Sequence, residues 1–237
     1  MLASTHSAYS QFQPESTDLV AEPVLERRDR VFLSQWLNHK FDPHWQAVLN
    51  ITKRAAIATR SSVTNAEISS TIDKLKVSED RSHSHQLIQK LGSIADGDRD
   101  AVQTLVELIQ TTQNDETLWI AVNSLRQAAP AHPSAGVRRA RSIDLGSPTN
   151  FNFIVNIVPK IENQVGILLQ VYPDESKRHL PNNLKLILQD DSGNSLREVV
   201  SVNTDCCIQL KLSGEYREIF SVCLELDEIV SIVDFVI

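Results

Sequence analysis

Four arginines are the side chains whose type and spacing could bind a partner. Arg138, Arg139 and Arg141 form a short basic cluster, and Arg126 lies upstream of it. Guanidinium groups bind carboxylates and phosphates through directed hydrogen bonds. These four residues are therefore a candidate interaction surface for an acidic partner or a phosphate. A solvated linker is the alternative interpretation.

No set of side chains predicts catalysis, a cofactor or a metal. His83 and His85 could share a face on a strand, but we expect them at a helix start, where residues two apart diverge. His39, Asp42 and His44 lie close together in the sequence, yet nothing there identifies a nucleophile held beside a base. The seven glycines form no phosphate-binding GxGxxG or GxxxxGK loop. The sequence therefore predicts no catalytic, cofactor-binding or metal-binding residue.

Three cysteines are too few for a disulfide framework. Cys206 shares its alternation with apolar Ile208, so we expect it in the core. Cys207 and Cys223 are expected on the outer face as diagonal neighbours. A redox pair is one interpretation of these two residues, and two free thiols on the surface are the other.

Composition is that of an ordinary globular protein. Of the 237 residues, 41% are hydrophobic, which is enough for a buried core. The formal net charge of −7 argues against binding to nucleic acid or anionic membranes, because both polyanions would be repelled. No signal peptide is visible, and the longest apolar stretch, 229–237, is far shorter than the roughly 20 residues that span a bilayer. We expect a soluble cytoplasmic protein with no nucleic-acid or membrane partner.

The period of the hydrophobic pattern changes near Arg141. Apolar residues three and four apart predict helices before that point, and apolar residues two apart predict seven or eight short strands after it. This change predicts an α+β protein with an N-terminal helical region followed by a C-terminal antiparallel β-sandwich. The expected divisions are a flexible tail over 1–25, a helical region over 26–135, a linker over 136–142 and the sandwich over 143–237.

Two finer predictions concern a helix start and a strand pairing. Asp42 and Pro43 have the residue types of a helix cap and a first helical position, so a helix is expected to begin there. In the sandwich, a loop over 214–218 would place Leu212 opposite Phe220. This register predicts a hairpin between the two strands that flank the loop.

Part of the helical region resembles a HEAT-type repeat. Leu87 and Leu91 are each 34 positions before an apolar residue of the next stripe, Ala121 and Leu125. Such a period suits stacked helical hairpins. The resemblance implies HEAT-like hairpins over about 83–130.

Three segments of the chain are also similar to segments of one known family. They are Leu33-Ser34-Gln35-Trp36-Leu37 with Phe41 and Trp45, Leu180 to Leu186 with Asp191-Ser192-Gly193, and Ile208 to Leu210 with Ser213-Gly214-Glu215 and Phe220-Ser221-Val222. The chain thereby resembles the family called domain of unknown function 1822, which is found widely in cyanobacteria. The resemblance implies an architecture and a cyanobacterial source rather than a mechanism. The HEAT-like segment would be an insertion between the two parts of this family.

A non-enzymatic interaction, regulatory or scaffold protein is the function that these features favour. Its expected partner is another protein, because helical hairpins offer a groove to one. A small-molecule sensor or enzyme with a site between the helical and β parts is one alternative. Its expected groups are His39, His44, Trp45 and the Arg138–Arg141 run. An accessory module of an NTPase or protease signalling system encoded nearby is another, and the sequence leaves the oligomeric state open.

Overall fold

The computed structural model describes residues 30–48, 64–146, 150–174 and 176–237. The predicted tail over 1–25 lies outside these residues. In chain order the elements are β1 (Arg30–Phe32), α1 (Leu33–Leu37), β2 (Gln46–Ala47), α2 (Asn65–Val77), α3 (Arg81–Ile94), α4 (Arg99–Thr111), α5 (Asp115–Ala128), a 3₁₀ turn (Pro133–Ala135), β3 (Val137–Asp144), β4 (Asn150–Pro159), β5 (Gln164–Pro173), β6 (Lys185–Gln189), β7 (Ser195–Val200), β8 (Ile208–Glu215), β9 (Ile219–Leu226) and β10 (Ile229–Val236).

The strands of the described residues form two five-stranded sheets that pack face to face. Sheet A has the order β1-β10-β9-β6-β7, and sheet B has the order β2-β3-β4-β5-β8. Neighbouring strands are antiparallel except β1 and β10, which run parallel. Alternating apolar residues of both sheets fill the space between them, as in other sandwiches. Phe153 of sheet B and Phe235 of sheet A meet there with ring centroids 6.3 Å apart.

Helices α2 to α5 form a third layer on the outer face of sheet B. The apolar core of this layer includes Val158 and Leu168, which belong to sheet B. At Gly166 of β5, an added Cβ would lie 2.6 Å from Leu118 Cδ2 of α5. Helix α5 therefore rests directly on the sheet, and the other helices pack around it.

Side-chain caps fix where three of these helices begin. Oxygens of Asp80, Asp98 and Asn114 accept hydrogen bonds from first-turn N–H groups of α3, α4 and α5. Helices α3 and α5 then approach closely, because an added Cβ at Gly92 would lie only 2.6 Å from Ser124 Cα. Within the described residues, none of the helices has the length and apolar character needed to cross a membrane.

The predicted N-terminal helical region with HEAT-like hairpins is wrong. Residues 30–47 supply β1 to sheet A and β2 to sheet B, and α1 between them has only five residues. Trp36 and Trp45 lie in the sandwich core with ring centroids 5.0 Å apart. The longer helices instead occupy the middle of the chain, and their apolar stripes are buried on sheet B rather than in a stack of repeats. Pairing of β1 with β10 outweighs the local helical period.

Two local predictions are also wrong. Asp42 begins a turn, because its carboxylate accepts from Trp36 Nε1 at 3.1 Å and its carbonyl accepts from the Trp45 N–H. The strands β8 and β9 do not form a hairpin: β8 pairs with β5, whereas β9 pairs with β10 and β6. Their apolar faces meet the same core from opposite sheets, so alternation alone does not distinguish the two arrangements.

Strand β3 (Val137–Asp144) includes all but the first of the residues that we expected to form a linker, 136–142. It pairs with β4 from Val137 opposite Ile157 onward, so the junction between helices and sandwich is part of sheet B. Gly136 has a φ of 70°, and an added Cβ there would lie 2.2 Å from Ile157 O. Glycine therefore permits the chain to turn into the sheet at this point.

Candidate functional site

The four arginines of the predicted interaction surface lie on two faces of sheet B. Residues alternate along a strand, so Arg138 points to the outer face while Arg139 and Arg141 point the other way. Arg139 lies over the Phe41 ring, with Cζ 3.3 Å from the centroid. Arg126 reaches the outer face from the last turn of α5. The structure thus brings Arg126 and Arg138 together and separates them from the other two.

Arg126 is held by two hydrogen bonds that leave part of its guanidinium unused. Its Nε donates to Ala135 O at 3.0 Å, and its Nη1 donates to Asn156 Oδ1 at 3.2 Å. Its Nη2 is buried and has no hydrogen-bond partner among the described residues. A buried donor without a partner costs roughly 1–3 kcal/mol, and more when it is charged. An incoming acceptor would remove that cost.

Arg138 adds a second positive charge that no described carboxylate neutralises. It lies opposite Asn156 in the sheet, and its Nε is buried without a partner. Its two terminal nitrogens make no hydrogen bond within the described chain and are not among the fully buried unpartnered atoms. Ion pairs of the described residues are formed by lysines, not by Arg126 or Arg138: they involve Lys90, Lys185 and Lys211.

Burial and mutual repulsion disfavour these two charges. Burial, followed by the charge of Arg138, lowers the pKa of Arg126 to about 10. Burial also lowers the pKa of Arg138, while Tyr172 and Cys207 act in the opposite direction. At neutral pH Arg126 is still protonated. An anion bound between the two guanidinium groups would oppose both the desolvation and the repulsion.

A row of neutral polar side chains continues from Arg126 across the outer face of sheet B. We call Asn156, Gln170, Tyr172 and Gln209 the polar tract. Asn156 Nδ2 donates to Gln170 Oε1 at 3.2 Å. Gln170 Nε2 donates to the Tyr172 hydroxyl and to Gln209 Oε1, each at 3.2 Å. These bonds orient the Asn156 amide so that its oxygen accepts from Arg126.

Cys207 lies beside the end of the polar tract and is poorly suited to nucleophilic chemistry. Burial raises the pKa of the Cys207 thiol to about 11. Burial and the neighbouring Cys207 also raise the pKa of Tyr172. Because the thiolate is the reactive form of cysteine, this thiol is weakly activated at neutral pH. The arrangement favours binding of an anion over covalent chemistry.

The other residues considered for chemistry lie apart from the arginine pair. Cys206 is exposed rather than in the core, so that prediction is wrong. Cys223 lies in sheet A while Cys207 precedes β8 of sheet B, so the predicted diagonal pair is wrong as well.

The histidine considered as a metal ligand is bound to a hydroxyl group instead. His85 Nε2 shares a hydrogen bond with Thr117 Oγ1 at 2.9 Å. In the part of the chain that the structure describes, no three His, Cys, Asp or Glu side chains could hold a metal.

A cleft of about 450 Å³ opens where the helical layer meets one end of the sandwich. Its lining includes Gln113 and Asp115 at the start of α5, and Arg197 of sheet A. The groups predicted for a site between the two halves do not line it: His39, His44, Trp45, Arg138, Arg139 and Arg141. A site of that composition is therefore not formed by this cleft.

Asn156 and Gln170 were not anticipated, although the sequence marks both. Asn156 is a single polar residue in the apolar run 153–158, and Gln170 ends the apolar run 167–169. A polar side chain in a buried strand needs a hydrogen-bond partner. Such positions indicate where a polar network lies, but not which distant residue completes it.

One known protein family matches nearly the whole chain, including the arginine pair and the polar tract. The family model described as "Protein of unknown function (DUF1822)" matches residues 3–235. The chain belongs to the DUF1822 family. The DUF1822 match spans the helical layer, both sheets and the arginine pair, so the resemblance seen in three sequence segments is confirmed. The family description assigns no activity to the site.

Comparison with solved structures adds no functional argument. The structure of an endonuclease/exonuclease/phosphatase from Beutenbergia cavernae is similar to 41% of the DUF1822 chain at 14% identity, with a TM-score of 0.26. The similar part covers 26% of that protein. Among curated proteins, none matches the chain.

Proposed function

We propose that this DUF1822 protein is a non-enzymatic cytoplasmic interaction protein that binds an acidic segment of a protein partner. The binding groups are Arg126 and Arg138 on the outer face of sheet B. The observation that carries the proposal is Nη2 of Arg126, which is buried without an acceptor among the described residues, beside a second arginine that pairs with no described carboxylate. Three free cysteines support a reducing compartment.

Carboxylates are the acceptors that best match the groups left open in this pair. The guanidinium group is a planar fork that binds a carboxylate through two parallel hydrogen bonds. Arg126 offers Nη2, which has no acceptor among the described residues, and Arg138 offers two terminal nitrogens that are not fully buried. Each hydrogen bond to a charged group contributes roughly 1.5–3 kcal/mol. A single carboxylate shared by both arginines would therefore make a substantial contribution to affinity.

The overall charge favours an anion that is part of a larger partner. The chain has 30 acidic and 23 basic residues, so its net charge of −7 repels free anions at long range. An acidic side chain within a protein segment gains further contacts from the surrounding sheet and helix surface. Those contacts can offset the repulsion, as contacts around a buried anchor do in other interfaces.

Fluorescence anisotropy with a labelled, capped hexaglutamate peptide tests this proposal. We expect saturable binding to the full chain. Arg126→Met and Arg138→Gln should each weaken it about tenfold or more, because each removes charge-assisted hydrogen bonds. Arg141→Gln is the matched control: it removes the same charge from the opposite face of β3 and should leave the affinity unchanged.

Two further probes separate an acidic segment from other ligands. A capped hexalysine peptide should not bind, because the same two charges would repel it. Inorganic phosphate at millimolar concentration should displace little of the hexaglutamate peptide, and complete displacement would identify a general anion site instead. Absence of hexaglutamate binding, or equal binding by the wild type and both variants, would refute the proposal.

A further inference from the structure

We propose that the free edge of β7 accepts an extended segment of a partner protein as an additional strand of sheet A. Among the described strands, β7 is the last one of this sheet and pairs only with β6. The edge belongs to sheet A, whereas Arg126 and Arg138 lie on the outer face of sheet B. The inference is therefore independent of the function proposed for the arginine pair.

The backbone of β7 has hydrogen-bonding groups that point away from its own sheet. Ser201 N–H donates to Leu184 O at 2.9 Å, and Ser201 O accepts from the Asn183 N–H at 3.1 Å, so the Ser201 backbone faces β6. The direction of these groups alternates along an antiparallel strand. Glu198 and Val200 therefore direct their N–H and C=O groups outward, where the described residues provide no strand to pair with them.

The other described sheet edges are shorter or shielded. Strands β1 and β2 have three and two residues. On β8, the Lys211 carbonyl accepts from Arg197 Nη1 at 2.9 Å, and the Ser213 hydroxyl bonds to Asp115 at the start of α5 at 2.9 Å. Unshielded edges attract additional strands, and proteins commonly protect them with charged side chains. The β7 edge is the one that remains open among the described strands.

The side chains along β7 are apolar for such an exposed edge. Leu196 and Val200 are 57% and 43% exposed, and Val202 just beyond the strand is 55% exposed. Arg197, which could have protected the edge, is turned toward β8. Glu198 is the remaining charge of the strand. An added strand would cover these apolar groups while completing the backbone hydrogen bonds, which is the general pattern of recognition by strand addition.

The 450 Å³ cleft lies where an added strand would place a side chain. It opens between β7 and β8, lined by Leu196 and Arg197 on one side and Leu212 on the other. Alternate side chains of an incoming strand point between the sheets. The side chain opposite Arg197 would enter the mouth of the cleft. We expect it to be apolar, because the buried side chains of the lining are Leu188, Phe220 and Ile237, whereas charged lining residues such as Asp115 and Lys160 are less buried.

Charge favours a different polypeptide over a second copy of the chain. A twofold pairing of two β7 strands centred on Glu198 would set Glu198 against itself, and one centred on Arg197 would set Arg197 against itself. A pairing centred on Val199 would place Glu198 opposite Val200, without a basic partner. Like charges directly opposite each other destabilise a strand pair. A partner with a basic residue opposite Glu198 and an apolar residue opposite Val200 avoids this. We therefore expect a segment whose inward side chain opposite Arg197 is apolar. Its outward side chain opposite Glu198 is expected to be basic, and its outward side chain opposite Val200 is expected to be apolar.

Selection from a displayed library of random seven-residue segments, using the full chain as bait, tests the inference. We expect enriched segments with the alternation described above. A synthetic enriched peptide should lose about tenfold or more affinity for Val200→Pro, because proline removes an outward N–H and obstructs the incoming strand. The control Val230→Thr changes an apolar side chain of β10 that is 50% exposed and should bind normally.

A second variant and a second readout keep the test decisive if Val200→Pro unfolds. Glu198→Lys should select acidic rather than basic residues at the outward position. Hydrogen exchange should show that the amides of Glu198 and Val200 exchange fast in the free chain and become protected when the peptide binds. Equal affinity of Val200→Pro, unchanged selection by Glu198→Lys, or protection elsewhere would overturn the inference. Self-association of the chain lost in Val200→Pro would reassign the edge to a second copy and would equally overturn it.

Discussion

Replacing Arg126 by methionine should leave the free energy of unfolding nearly unchanged while removing the binding function. Burial and Arg138 lower the pKa of Arg126 by between two and three units, to about 10. At about 1.4 kcal/mol per pKa unit, holding the charge in the folded state costs about 3 kcal/mol. Methionine removes that cost but also removes the bonds to Ala135 and Asn156. At roughly 1.5–3 kcal/mol each, two hydrogen bonds to a charged donor contribute about 3–6 kcal/mol together, so the expected net loss is about 1 kcal/mol and at most about 3 kcal/mol.

Removal of the acceptor instead of the donor should have a much larger effect. Asn156→Leu leaves Nη1 of Arg126 buried and charged with no acceptor, and it also removes the bond from Asn156 to Gln170. We expect a loss of roughly 2–4 kcal/mol, because an uncompensated buried charge remains. In the double variant Arg126→Met/Asn156→Leu, that charge is absent, and part of the loss should be recovered. A small loss of unfolding free energy in Arg126→Met beside a large loss in Asn156→Leu would show that the Arg126 charge does little to stabilise the fold and is available for binding.

Urea denaturation of the wild type and the three variants, monitored by circular dichroism, measures these differences. The midpoint of Arg126→Met should stay close to that of the wild type, with an unchanged slope. Its thermal midpoint should shift by no more than about 4 °C. A loss of more than about 3 kcal/mol in Arg126→Met would refute the reasoning, because Arg126 would then hold the fold together in the manner of a core residue.

Three other measurements test the fold and the site. Gly92→Ala should lower the free energy of unfolding by roughly 1–3 kcal/mol, because its Cβ would lie 2.6 Å from Ser124 Cα. The control Ser93→Ala, on the exposed side of α3, should change little. Equal effects of the two variants in denaturation experiments would contradict the close packing of α3 and α5. Burial raises the pKa of the Cys207 thiol from 9.0 to about 11, so about 100-fold less of it is thiolate at pH 8. Alkylation of Cys207, followed by mass spectrometry, should therefore be at least about 100-fold slower than that of a thiol with a pKa of 9.0. Comparable alkylation rates would contradict the burial of Cys207. A fragment of residues 136–237 should not reach a folded state because it lacks β1, β2 and the two core tryptophans, and a dispersed NMR spectrum from it would show otherwise.

Strand positions could be predicted from the sequence because their alternation reflects burial on one face. Phe151, Phe153 and Val155 face the core between the two sheets and form part of β4, as the pattern predicts. The pairing partners were not available from the same pattern. Ile208 to Leu212 and Phe220 to Leu226 both have apolar residues two apart, yet they belong to opposite sheets. Alternation identifies a buried face but not the sheet to which that face belongs.

The start of the chain shows how tertiary contacts override a local period. Val31, Phe32 and Trp36 are spaced as on a helix, but Val31 lies in a strand parallel to β10. A parallel pairing between positions about 200 residues apart leaves no local signal. Trp36 lies in the sandwich core, and the element that places it there is a single short helix.

The candidate site could be predicted only in part for a similar reason. Arg126 and Arg138 stood out by residue type, but their sequence neighbours Arg139 and Arg141 did not follow them to the same face. The period of two in β3 decides that separation, and it was not visible while 136–142 was expected to be a linker. Asn156, which joins the two arginines, lies on another strand. Its role depends on a contact that no sequence spacing encodes.

Side-chain NMR of the arginine Nε–H groups tests the central claim most directly, because it observes the proposed binding groups themselves. Signals of Arg126 and Arg138 would be assigned from Arg126→Met and Arg138→Gln and followed while the hexaglutamate peptide is added. The account predicts that these two signals shift and saturate together, while the Arg141 signal stays in place. Shifts confined to Arg139 and Arg141, or no shift of any arginine signal, would contradict it.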